Sequence, residues 1–169
     1  MKRHAADRRR ALSALAKAGL RDPGALERID LGRSGDLVVR SGAAFVKVAG
    51  PGATAAERLR CEARALSWMR GRVTIPDLLW EGEVEGRPAI VTGALSGLPL
   101  NEVDPGQAAE ALAEGARALA GLHATPLAGC PGDGSVSTLL AEARRMAAAG
   151  LVDAGDFHPS HAGWTPEQL

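Results

Sequence analysis

The chain has 169 residues, 46% of them hydrophobic, with twenty basic residues balanced by twenty acidic ones. That length is enough for one substantial core, or for a small domain with part of another. A formal net charge of zero gives no global field to draw the chain to nucleic acid or a membrane, and no apolar stretch approaches a transmembrane span. The cluster Lys2, Arg3, Arg8, Arg9 and Arg10 reads as a solvated helix end. It lacks the interleaved aromatics or glycines of a nucleic-acid surface. With no apolar stretch behind it, it is not a signal peptide. Cys61 and Cys130 stand far apart, without metal-ligand spacing or a disulfide framework, and suit a reducing cytoplasm.

Residues 7–19 predict a short helix, with Ala11, Leu12, Leu15 and Ala18 on one stripe and Gly19 as its stop. The period then changes. Leu37-Val38-Val39 and Ala44-Phe45-Val46-Lys47-Val48 are β-prone runs around Ser41-Gly42 and read as a hairpin. Residues 54–70 predict a helix in which Thr54 and Glu57 make a capping box and Leu59, Ala63, Leu66 and Met69 make the apolar stripe. Leu78-Leu79-Trp80 and Ala89-Ile90-Val91, joined around Glu85-Gly86-Arg87, read as a second hairpin. Ser96-Gly97-Leu98-Pro99 has the composition of a linker. Beyond it the pattern is helical. Asp104 caps and Pro105 opens a helix that runs to His123, and Ser135 or Ser137 caps another that ends near Gly150. Thr165-Pro166-Glu167-Gln168 looks like a further helix start, with less than one turn behind it.

Strand patterns precede residue 95 and helical patterns follow it. The expected organisation is a lead-in over 1–27, a small sheet-containing lobe over 28–95, and the start of a helical lobe over 96–169.

Three features carry chemistry when taken together. Gly32-Arg33-Ser34-Gly35-Asp36 opens the first hairpin with small residues, which let backbone N–H groups approach phosphates. Lys47 alternates with Val46 and Val48. If those two face a core, its ammonium faces whatever cleft the sheet lines, where it can pair with phosphates. Glu62, on the following helix, is a candidate partner for Lys47. Singly, each has a bland reading as a turn, a surface lysine or a surface glutamate. Their order is that of a kinase N-lobe followed by a helical lobe.

The chain resembles the aminoglycoside phosphotransferases, especially the actinomycete 3'-phosphotransferases. The resemblance runs through residues 32–39, Phe45 to Val48, Glu62 to Trp68, Ile75 to Leu79, Val91 to Gly97 and Leu119 to Leu127 with Cys130-Pro131. It continues through Ala141 to Arg145, Gly150 to Asp153 and Ala162 to Thr165. It implies an α+β, protein-kinase-like fold: a small antiparallel-sheet N-lobe with one helix, plus the first helices of a helical C-lobe that is incomplete within these residues. It also implies ATP as cofactor with Mg²⁺, and transfer of the γ-phosphate to the 3'-hydroxyl of an aminoglycoside.

By that resemblance Lys47 binds the α/β-phosphates, Glu62 orients it, and Ser34 and Gly35 lie over the phosphates. Adenine is held by the backbone carbonyl of Thr92 and the amide of Ala94. Gly93 stands between those two, where the family usually has an acidic residue. Asp153 and Asp156 begin the acidic loop that binds the polycationic drug, while His158 and His161 stand where relatives are often richer in carboxylates. The family's catalytic His-Gly-Asp segment, its asparagine and its metal-binding aspartate do not occur among the 169 residues, so no catalytic or metal-ligating residue is assigned. The expectation is a chain that is inactive alone and exposes apolar helix faces open to self-association. The alternatives are a nucleotide-binding module without catalysis, a non-functional remnant, or a kinase for another small hydroxyl compound.

Overall fold

A computed structural model describes residues 2–21, 24–29, 35–153, 155, 157–161, 163–165 and 168. The chain divides into two compact units, residues 1–131 and 132–169.

The first unit is built on five antiparallel strands: β1 (Leu26–Arg28), β2 (Leu37–Ser41), β3 (Ala44–Val48), β4 (Leu78–Val84) and β5 (Arg87–Gly93), in the spatial order β1-β2-β3-β5-β4. The period-2 alternation decides which side chain faces which layer. Leu37 and Val39 of β2, Ala44, Val46 and Val48 of β3, and Ala89 and Val91 of β5 are buried on one face. Helix α1 (Lys2–Lys17) covers that face with Ala11, Ala14 and Leu15. Helix α2 (Ala53–Met69) supplies the other layer, with Ala55, Leu59, Ala63 and Leu66 packed around Ile90. A helix crossing between β3 and β4 leaves β4 outside β5, so the second hairpin closes the sheet from its edge.

Both expected hairpins form. The first turns at Gly42-Ala43 with Ser41↔Ala44 as its last pair, so Ser41 belongs to the strand and is buried. The second has a two-residue turn at Glu85-Gly86, with φ of 52° and 72°. Both residues are in the left-handed region, as a type I′ hairpin requires. Strand β1, absent from the sequence reading, is a three-residue edge strand on β2.

The start of α2 differs from expectation. The N-cap is Gly52, without a side-chain cap bond, and Thr54 lies inside the helix. Gly52 has a φ of +100°, which glycine tolerates and threonine does not, so the chain enters the helix ahead of the expected cap. Glu57 is then released from a capping role and accepts from Arg64 at 2.7 Å.

The basic cluster is likewise more than a solvated helix end. Arg9 Nε and Arg10 Nε donate to the two carboxylate oxygens of Glu85 at 2.7 and 2.8 Å. Asp7 accepts from Arg10 and from Arg28. Lys17 donates to the Glu83 carbonyl at 2.6 Å and sits 5.6 Å from the Trp80 ring centroid. These contacts fasten α1 to β1 and to the β4–β5 hairpin.

After β5, Asp104 accepts from the Gly106 amide at 2.8 Å with Pro105 at the first position of a short 3₁₀ turn, and α3 (Ala108–His123) follows. In the second unit Ser135 is the cap of α4 (Val136–Ala148), accepting from the Thr138 amide. Gly150, at φ +65°, closes α4 with a bond from the Leu151 amide back to Met146. At Thr165 the Gln168 side chain accepts from the Thr165 amide at 2.7 Å, one half of a capping box. Pro166, Glu167 and Leu169 lie outside the described residues.

Self-association through apolar helix faces is overturned. Leu112, Leu119, Leu139 and Leu140 are exposed, but α3 and α4 run only 16 and 13 residues and carry Glu110, Glu114 and Arg117, and Glu142, Arg144 and Arg145, respectively. Neither is a long apolar helix. Among the described residues no helix is long and apolar enough to cross a membrane.

Candidate functional site

The sheet face turned away from α1 lines a cleft of about 860 Å³. Its wall carries Val38, Arg40, Phe45, Lys47, Ile90 and Thr92, with Glu62 from α2 and the segment Gly93 to Pro99 along one side. The cause is local. Val46 and Val48 are fully buried against α1, so the pleat turns Phe45 and Lys47 the other way.

Lys47 Nζ lies 2.8 Å from both carboxylate oxygens of Glu62. The pair is bidentate from the carboxylate's side and half-buried: the side chains keep 29% and 38% of their exposure. It lies across β3 and α2 and is held by the packing of Leu59, Ala63 and Leu66 on the sheet. Glu62 thereby holds the ammonium in the cleft, where it can meet an anion.

Phe45 is one strand alternation from Lys47 in the same wall and pairs across the sheet with Arg40 on one side and Thr92 on the other. The Arg40 guanidinium stands 5.9 Å from the Phe45 ring centroid. An aromatic face two residues from a lysine in one cleft suits a planar, anionic ligand. The sequence reading did not single out Phe45 as a site residue, although the alternation that selected Lys47 selects it too.

Two of the remaining expected residues, Thr92 and Ala94, line the same cleft. Gly35 has a φ of +70°, and its carbonyl packs on Gly50, whose added Cβ would stand 3.0 Å from that oxygen. Ser34 lies outside the described residues. The Ala94 amide donates to the Ala43 carbonyl at 2.7 Å, so the group expected to meet adenine is already paired. Asp153 belongs to the second unit, where it accepts from the Gly155 amide at 2.8 Å. Asp156 lies outside the described residues. Among the described residues no group of three or more His, Cys, Asp or Glu is placed to hold a metal ion.

One further cluster had no sequence signal beyond the aspartate that follows the glycines. The Asp36 carboxylate, 3% exposed, accepts from the Gly50 amide at 2.7 Å and from Arg58 Nη2 at 3.0 and 2.9 Å. Its partners are 14 and 22 residues away, beyond the reach of local pattern.

Comparison with known proteins decides the ancestry. A model of the phosphotransferase enzyme family matches residues 25–169. The chain belongs to that family. An aminoglycoside 3'-phosphotransferase of Streptomyces fradiae is 38% identical over 113 residues, which span 64% of this chain and 41% of that protein. A second, from Streptomyces ribosidificus, is 34% identical over the same shares. The chain thus matches well under half the length of these curated relatives.

Among solved structures, an aminoglycoside-3'-phosphotransferase of type VIII aligns with a TM-score of 0.71 at 29% identity, covering 92% of this chain and 60% of that one. The aminoglycoside phosphotransferase APH(3'')-Id of Streptomyces rimosus aligns at 0.75 and 23% identity, covering 94% and 58%. The α+β, protein-kinase-like fold is the one these proteins share. Its antiparallel sheet and helix are the first layers described above, and its further helices include α3 and α4. Homology to the actinomycete 3'-phosphotransferases covers only part of the full-length enzymes.

Proposed function

We propose that this phosphotransferase-family chain supplies the ATP-binding side of a kinase that phosphorylates the 3'-hydroxyl of aminoglycoside antibiotics. The observation that carries this reading is the Lys47–Glu62 pair in the cleft wall. Lys47 takes the α/β-phosphates as a point charge, and Glu62 keeps the ammonium in the cleft when no nucleotide is bound. Gly35 lies over the phosphates, the role that the family resemblance gives to Ser34 as well. Phe45 offers a ring face to the base, and the Thr92 carbonyl an acceptor at its edge. The Ala94 amide joins only if adenine displaces Ala43 as its acceptor. A boundary between lobes at residues 93–100 places the linker beside the base.

When bound at Lys47, ATP would supply the transferable phosphoryl group, and Mg²⁺ would have to be held by the phosphates and by residues outside the described ones. None of the 169 residues forms a His-Gly-Asp segment, and the described residues hold no metal cluster. Residues 1–169 therefore bind nucleotide without transferring phosphate. Asp153 and Asp156 meet the cationic drug through charge pairing. The free thiols of Cys61 and Cys130 fit a cytoplasmic location.

Calorimetric titration of the 169-residue chain with Mg²⁺-ATP tests the reading. Saturable binding that Lys47→Ala abolishes is the expected result, with no phosphate transferred to a kanamycin-class acceptor. Absence of any ATP binding would overturn the nucleotide assignment, and turnover sensitive to Lys47→Ala would overturn the inactivity. The same absence of a His-Gly-Asp segment supports a second reading, a nucleotide-binding module that performs no transfer. Restoration of transfer when the rest of a relative's helical lobe is appended to residue 169 would count against it.

A further inference from the structure

Helix α2 rests on the sheet through Ala55, Leu59, Ala63 and Leu66. Such contacts are non-directional. They hold the helix down but fix its rotation and its slide along the sheet less sharply than a carboxylate that must meet an ammonium at 2.8 Å requires. Directional bonds supply that. Arg58 and Glu62 are four residues apart on α2, one helical turn, and so share a face. Glu62 reaches Lys47 in β3. Arg58 reaches both carboxylate oxygens of Asp36, at 3.0 and 2.9 Å.

Asp36 precedes Leu37, whose register partner is Val48, next to Lys47. It also accepts from the Gly50 amide at 2.7 Å, three residues beyond Lys47. Its carboxylate therefore ties together the approach to β2, the exit of β3 and the first half of α2, directly beside the ion pair. The side chain is 3% exposed. A carboxylate is desolvated this far at a cost that its partners must offset, and those partners include an arginine and a backbone amide.

We propose that Asp36 and Arg58 are positioning residues for the nucleotide site: their bond sets the height and rotation of α2 and so keeps Glu62 on Lys47. The proposal rests on the ATP-binding reading given above. It makes the effect of Asp36 specific to phosphate recognition, because it acts through Lys47 and not through the base-facing wall.

The test uses the 169-residue chain, titrated with Mg²⁺-ATP and separately with adenosine. Asp36→Asn keeps an acceptor for the Gly50 amide and removes the charge that Arg58 pairs. Arg58→Gln removes the other partner at a side chain 46% exposed, which protects the test against a folding failure at Asp36. Each variant is expected to weaken ATP by roughly fivefold or more while adenosine changes less than about twofold. In a Lys47→Ala background neither should weaken ATP further. Amide exchange of the nucleotide-free chain should rise along residues 58–66 in both variants.

Equal losses for ATP and adenosine, a full further loss on top of Lys47→Ala, or unchanged ATP affinity and exchange would each overturn the proposal. A wild-type chain that binds no ATP, with exchange raised as expected, would overturn the nucleotide reading and the proposed nucleotide role with it, while leaving Asp36 as a fastener of α2.

Discussion

Truncating Leu15 to alanine separates the support of the sheet from the chemistry of the cleft. Leu15 is 1% exposed and stands on α1 among Val39, Val46, Val48, Val84 and Val91. Removing its three outer carbons forfeits about 0.8 kcal/mol each, or about 2.4 kcal/mol. The wall it leaves is a sheet of valines, stiff at χ1 and tied into the strand ladder, so it relaxes little and a cavity term adds. The total should be about 3 to 4 kcal/mol, within the range for buried leucines. For a chain of this size that lowers Tm by roughly 10 °C. Tryptophan fluorescence suits the measurement, since Trp80 packs against the same cluster. α1 lies on the sheet face opposite Lys47 and Glu62, so ATP affinity measured well below the transition should stay within about twofold of wild type while stability falls. A Tm shift under about 3 °C would refute the packing argument. A loss of ATP affinity as large as that of Lys47→Ala would refute the separation of the two faces.

Glu62→Gln should behave in the opposite sense. The pair with Lys47 is about one-third exposed, so stability changes by at most about 1 kcal/mol, while ATP titration falls and adenosine titration does not. An unaltered ATP isotherm would remove Glu62 from the site. Gly50→Ala sets a methyl 3.0 Å from the Gly35 carbonyl oxygen and should cost roughly 1 to 3 kcal/mol in chemical denaturation; a neutral result would mean that this backbone contact yields freely. The hydrogen bond from Arg9, with further help from Arg10, holds the Glu85 carboxyl below its ordinary range. A depressed folded value means that this stabilisation is present above the ordinary carboxylate pKa of about 4.3 and is lost as pH falls through the lower folded value. Glu85→Gln should therefore flatten the fall of Tm over acid pH, and an unchanged profile would show that α1 does not depend on this pair.

Part of this protein is written in local pattern. Alternation in Phe45-Val46-Lys47-Val48 is enough to put Lys47 on the face away from the valines, because a strand has only two faces. Spacing in α2 selects Leu59, Ala63 and Leu66, and the order of lysine strand and glutamate helix anticipates the Lys47–Glu62 pair. Asp104-Pro105 and Ser135 cap where a cap is expected, since those bonds close within a few residues. The helix-entry rule failed at Thr54 because Gly52, a residue free to take positive φ, bends the chain in first.

What tertiary structure decided are the pairings that span the chain. Arg9 and Glu85 are 76 residues apart, so no window of sequence could turn the basic end of α1 from a solvated surface into the clamp on the second hairpin. The resemblance assigns the Ala94 amide to adenine, and the fold brings the Ala43 carbonyl to 2.7 Å of it. Asp36 shares the difficulty: its charge is legible, but its burial and its grip on Gly50 and Arg58 exist only once β2, β3 and α2 are assembled. The sequence by itself determined which residues face the cleft and which face the core, because that follows from the pitch of a strand and a helix. The packed fold alone decided which polar groups meet, because hydrogen bonds close over about 3 Å and the chain separations that bring those groups together are not encoded near either partner.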